Sequence, residues 1–105
     1  MAWIYLLVAG ALEVVWAAGL KKLGDGVSPL LLGLTVLAMI ASLAALYAAM
    51  AHLPLGIAYP IWTGLGSVGS VAVSVLLFGQ TLGLSGALGL ALLVIGMLLL
   101  GADAP

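Results

Sequence analysis

The stretch AWIYLLVAGALEVVWAAGL, residues 2–20, decides the fold class of this chain. It is an apolar run with a single charged side chain, Glu13, near its middle. Because about 20 helical residues cross a hydrocarbon core about 30 Å thick, the run has the length and composition of a membrane-spanning helix. It lacks the alternation of apolar and polar residues that the strands of a membrane barrel need. We therefore expect an all-α membrane protein.

The composition of the whole chain points to the same class. Of its 105 residues, 67% are hydrophobic and 5% are charged, and the mean hydropathy is +1.48. A soluble domain carries about 25% charged residues, so this chain cannot cover a water-facing surface. Two lysines and no arginine are too few for a nucleic-acid binder.

Metal, cofactor and enzyme chemistry are not expected either. The chain has no cysteine, and its one histidine has no cluster of carboxylates around it, so neither a disulfide framework nor a metal site is predicted. No nucleophile–base pair or phosphate-binding loop is recognisable. The sequence therefore predicts no cofactor and no enzyme activity.

Three more apolar runs follow the first, separated by short polar turns. We predict helices at about 2–20, 29–51, 55–78 and 82–100 in a single transmembrane domain, residues 1–105. Ser28 and Pro29 are expected to cap and begin the second helix. Because four spans with short turns use this length, we expect no soluble domain.

Glu13 is the residue best suited to carry chemistry. A charged side chain at the bilayer centre costs about 2.5–3.5 kcal/mol on insertion scales, and no lysine or arginine lies within a predicted span. The charge of Glu13 is therefore expected to be neutralised by a proton or by a cationic ligand. Because there is only one carboxylate, the two would compete for it. The structural alternative is a protonated carboxyl group that hydrogen-bonds between helices.

Aromatic side chains accompany Glu13. Helical spacing places Trp16 on its face of the first helix, and Tyr59 and Trp62 on one face of the third. Aromatic faces attract cations, although packing or a position at the membrane interface would also explain these residues. Ser42 in the second span is a possible donor to a carboxylate, with a bond to its own helix as the alternative.

The glycines of the third and fourth spans indicate where helices bend or pack, and the two lysines indicate how the chain is oriented in the membrane. The third span is rich in glycine and contains Pro60, so it is expected to be the moving part. Gly89 and Gly96 form a stripe on the fourth span that suits a helix–helix seam. Lys21 and Lys22 give a positive-inside bias of only two residues, so insertion in both orientations is our hypothesis.

Several motifs resemble the small multidrug resistance transporters. The first span contains GALEVVW at 10–16, and the third contains PLGIAYPIWTGLG at 54–66. The resemblance covers the whole chain. Within that family EVVWAAGLK at 13–21, Ser42 and WTG at 62–64 are closer to the guanidinium-exporter subtype than to the quaternary-ammonium subtype.

The resemblance implies a proton-coupled antiporter, a secondary active transporter that exports guanidinium or small guanidinyl cations across the bacterial inner membrane. Two copies would insert oppositely and form an antiparallel homodimer. The implied functional residues are Glu13 as the shared proton and substrate site, Trp16, Ser42, Tyr59 and Trp62 as its lining, Gly64 and Gly66 as the bend in the third helix, and Gly89 and Gly96 as the dimer seam.

Two alternatives stand beside this expectation, the first because of departures from the family pattern and the second because the single intramembrane carboxylate of a proteolipid also carries protons. Pro60 stands where the family usually has a small residue, while Ile57 and the run Phe78-Gly79-Gln80 are closer to the drug-exporting subtype. An exporter of quaternary ammonium or other hydrophobic cations is therefore the first alternative. The second is a non-transporting proteolipid such as a rotor-ring subunit, but such subunits resemble a two-helix hairpin with the acid in its second helix.

Overall fold

The structure is a computed structural model that describes residues 1–105 and contains four helices. Each helix is long and apolar enough to cross a membrane. This confirms the expected all-α class and the four spans, and it makes the chain a multi-pass membrane protein. The helices are α1 (Ala2–Leu23), α2 (Pro29–Ala49), α3 (Leu55–Leu77) and α4 (Leu84–Ala102).

The end of α1 differs from the expected position. The helix continues to Leu23, so Lys21 and Lys22 lie in its last turn and not in the following loop. Lysine is a good helix former, and its charge is favourable beside the partial negative charge at a helix C-terminus. Loop 1 is therefore shorter than predicted and covers residues 24–28.

The start of α2 confirms the predicted cap. The Ser28 hydroxyl oxygen accepts a hydrogen bond from the Leu31 backbone N–H at 3.5 Å, and Pro29 is the first helical residue. The helix ends at Ala49, two residues earlier than expected. Pro54 follows in loop 2, residues 50–54, and disfavours helical geometry in the residue before it.

Loop 3, residues 78–83, contains a glycine near its start, Gly79, and another at its end, Gly83. Gly79 has a φ of 73°, in the left-handed region that favours glycine. The Gln80 N–H then donates to the Ser74 carbonyl at 3.1 Å, which closes the C-terminus of α3. Gly83 is extended, so α4 begins at Leu84, two residues later than predicted.

The helices lie side by side in a flat arrangement of 44 × 35 × 16 Å. α1 packs against both α2 and α3, whereas α4 packs on α3 at one edge. No residue of α4 is buried. The chain therefore leaves large apolar surfaces for lipid or for another protein.

A tightly packed apolar core lies near loop 2. Gly10 lets α1 approach α3 here, because a Cβ at this position would lie 2.7 Å from the Leu65 Cβ. The core closes the loop 2 end of the chain, and Glu13 lies one helical turn beyond it. The core includes Leu6, Ala9, Leu46, Ala49, Leu53, Ile57, Ala58 and Ile61.

Candidate functional site

The Glu13 side chain points from the middle of α1 toward the backbone of α3 at Gly66. A Cβ on residue 66 would overlap the Glu13 carboxyl group and would lie 2.8 Å from its Cγ. The Oε1 atom of Glu13 is buried and accepts no hydrogen bond from the chain. A buried acid without a protein partner is best neutralised by a proton or by a cation from outside the chain.

Glu13 lines a cavity of about 290 Å³ between α1 and α3. Trp16 shares this cavity, and its indole Nε1 is also buried without a hydrogen-bond partner. α3 contributes the hydroxyl groups of Thr63, Ser67 and Ser70. These three residues were not predicted, although spacings of four and three residues place them on one helix face. The cavity thus combines a carboxyl group with several hydroxyl oxygens inside an apolar span.

Ser42 and Trp62 join three helices at the border of the apolar core. The Ser42 hydroxyl donates to the Ala9 carbonyl of α1 at 2.7 Å and accepts from the Trp62 Nε1–H of α3 at 3.1 Å. Ser42 therefore bonds neither to Glu13 nor to its own helix in the single chain. Both side chains lie outside the cavity that contains Glu13, so their role as site lining stays a prediction.

Tyr59 is also separate from the Glu13 cavity in the single chain. It is about half exposed, and its ring lies 5.5 Å from that of Trp62 at an angle of 59°. It lines a surface cavity of about 340 Å³ beside Pro60. Of the predicted lining residues, the structure therefore brings only Trp16 together with Glu13.

The predicted bend and seam glycines have contrasting surroundings. A Cβ at Gly64 would lie 2.7 Å from Met97 Cγ of α4, whereas Gly66 packs against α1. α3 is an uninterrupted helix across both positions, so the bend stays a prediction. A Cβ at Gly89 or Gly96 would meet nothing within 4 Å. These two glycines therefore lie on an open face of α4, and the dimer seam also stays a prediction.

Comparison with known proteins identifies the family. The family model described as Small Multidrug Resistance protein matches residues 1–93 of the chain. The chain belongs to the small multidrug resistance family. Proteins named guanidinium exporter from Salmonella typhimurium and Escherichia coli are 48% identical to it over 99 residues, and one from Citrobacter freundii is 45% identical over 98 residues. Each alignment covers 93% of both chains.

Family membership confirms the resemblance seen in the motifs. The matched residues of this small multidrug resistance protein include every residue that lines the Glu13 cavity. Its four helices also differ from the two-helix hairpin of a rotor-ring proteolipid.

Proposed function

We propose that this small multidrug resistance protein is a proton-coupled antiporter that exports guanidinium or small guanidinyl cations across the bacterial inner membrane. The observation that carries the proposal is the buried, unpartnered Oε1 of Glu13 on a cavity within the spans. The relatives named guanidinium exporter support the choice of cation. In this role the protein is a secondary active transporter and not an enzyme.

Coupling follows from the single charge of Glu13. Guanidinium is planar and presents its N–H groups in a fork that matches a carboxylate. A proton on the same carboxyl group removes the charge that holds the cation, so each occupant lowers the affinity for the other by the same factor. Protons that enter from the acidic side of the membrane then expel the cation toward that side.

Two neighbouring cavities of the single chain extend from Glu13 toward loops 1 and 3, so protons and cations would exchange with that end. The apolar core closes the loop 2 end. A second cavity of about 260 Å³ shares Ala17 and Ser70 with the Glu13 cavity and reaches Lys21 and Gln80 near loops 1 and 3. The two neighbouring cavities would give Glu13 a route toward this end of the chain, and alternating access needs a second conformation or a second chain that opens the other end.

An antiparallel homodimer would supply that second chain. α4 buries none of its residues, and Gly89 and Gly96 lie on its open face, so this surface is free to pack against another copy. The two Glu13 carboxyl groups would then share one site, and their protons would leave in coupled steps that belong to the pair. The exposed Tyr59 would be covered there and, with Trp62, would offer aromatic faces to the cation.

Guanidinium jumps on proteoliposomes test the proposal. Solid-supported-membrane electrophysiology should record currents for the wild type that require guanidinium, and the apparent affinity should fall as the pH falls, because protons compete for Glu13. Glu13→Gln should abolish both guanidinium currents and guanidinium-driven proton flux. Asp25→Asn is the matched control, because it removes an acid from loop 1 and should leave both intact. Proton flux that persists in Glu13→Gln would show that the site is elsewhere.

Export of quaternary ammonium ions is the second candidate. The Tyr59–Trp62 ring pair favours it, since aromatic faces bind cations without requiring N–H groups. Tetraalkylammonium jumps in the same assay separate the two candidates. Larger and tighter-binding responses to tetraalkylammonium than to guanidinium would establish the second.

A further inference from the structure

The hydroxyl groups of α3 have no part in the proposed function so far. Thr63, Ser67 and Ser70 recur at i, i+4 and i+7, and all three line the cavity that contains Glu13. We call these three residues the hydroxyl stripe. Ser74 continues the same face into the second cavity, near loops 1 and 3. A cation that moves between loop 1 and Glu13 would pass along this stripe.

Each hydroxyl hydrogen of the stripe is already bonded to a carbonyl of α3. Thr63 donates to the Tyr59 and Pro60 carbonyls at 3.1 and 3.0 Å, Ser67 to the Thr63 carbonyl at 2.7 Å, and Ser70 to the Ser67 carbonyl at 3.0 Å. A hydroxyl group has one donor hydrogen and two acceptor lone pairs. The stripe therefore offers the cavity acceptors and not donors.

This polarity distinguishes two classes of cation. A guanidinium group carries only N–H donors and no acceptor, so the N–H groups that do not face the carboxylate need oxygen acceptors once they leave water. A quaternary ammonium ion has no N–H group and gains no hydrogen bond from such oxygens. Hydroxyl oxygens along the path thus lower the cost of removing water from guanidinium but not from quaternary ammonium ions.

We propose that Ser67 and Ser70 are specificity-determining residues that select cations with N–H groups over quaternary ammonium ions. The inference rests on the proposed function, because the selected cation must reach Glu13 through the same cavity. A hydrogen bond that involves a charged group contributes roughly tenfold or more to an equilibrium constant. Each serine should therefore contribute about tenfold to the preference for guanidinium.

Serine-to-alanine variants in the reconstituted protein test this inference. Ser67→Ala, Ser70→Ala and the double variant remove the acceptors and leave a good helix former in place, so the fold should persist. Ser85→Ala is the matched control, because Ser85 is exposed on α4 outside both cavities. The dissociation constants of guanidinium and tetramethylammonium are measured for each variant by tryptophan fluorescence and by transport currents.

We expect each single variant to raise the dissociation constant of guanidinium by about tenfold, with no loss of tetramethylammonium binding and no effect of Ser85→Ala. Equal changes for the two cations, or no change, would overturn the inference while Glu13-dependent guanidinium transport by the wild type still supports the proposed function. A wild type that prefers tetramethylammonium would overturn both.

Discussion

Replacement of Gly66 by alanine tests the position of the Glu13 carboxyl group. The added Cβ would overlap the carboxyl group and would lie 2.8 Å from the Cγ atom of Glu13. Ordinary van der Waals contact begins at 3.4 Å. The Cγ atom of Glu13 must therefore move by about 0.6 Å, and the carboxyl group by more. Alanine is favoured over glycine in a helix by about 1 kcal/mol, and overpacking costs about 1–3 kcal/mol. The net loss of unfolding free energy should therefore be about 2 kcal/mol or less.

The effect on transport should be much larger than the effect on stability. A misplacement of about 1 Å at a reacting or binding group can cost about 100-fold in activity, so we expect guanidinium-driven currents to fall by about that factor. Thermal unfolding in detergent and currents in proteoliposomes measure the two quantities separately. Gly33→Ala is the control, because its Cβ would meet nothing within 4 Å. A folded Gly66→Ala protein with wild-type currents would show that Glu13 does not lie against α3 during transport.

Three further substitutions test the packing around the site. Ser42→Ala leaves the Trp62 indole N–H without its acceptor, so thermal unfolding should show a loss of about 1–3 kcal/mol. Gly10→Ala drives a Cβ into Leu65, and the same measurement should show a net loss of about 2 kcal/mol or less, because overpacking costs about 1–3 kcal/mol and alanine gains about 1 kcal/mol over glycine in a helix. Gly96→Leu places a large side chain on the open face of α4. Light scattering should then show a smaller dimer fraction, while circular dichroism shows an unchanged helix content. An unchanged dimer fraction would show that the dimer seam lies elsewhere.

The number and type of helices could be predicted because they depend on local composition. Each apolar run is long enough to cross a bilayer, and the Ser28-Pro29 pair marks the start of α2 through purely local chemistry. The helix ends were less accurate. Lys21 and Lys22 are polar, which suggests a loop, but they are also good helix formers beside a favourable dipole, and the helix continues through them.

The site could be predicted only where its residues share one helix. Glu13 and Trp16 are three residues apart on α1, and the structure places both on the same cavity. The bond between Ser42 and Trp62 joins α2 to α3, and it depends on how each helix is rotated about its axis. One sequence does not determine those rotations, because apolar residues surround every helix and no amphipathic stripe marks the inward face.

Because α4 lies at one edge of the chain, its outer face is separate from the cavity that contains Glu13. Every residue that lines the Glu13 cavity comes from α1 or α3, so substitutions along the outer face of α4 leave the ligand-facing chemistry untouched. In the proposed homodimer the open face of α4 would instead decide which chain supplies the second Glu13, so substitutions there would act on selectivity only through the choice of partner. A mixed pair of two related chains would then hold its cargo between one Glu13 from each chain, and its selectivity would combine those of both chains.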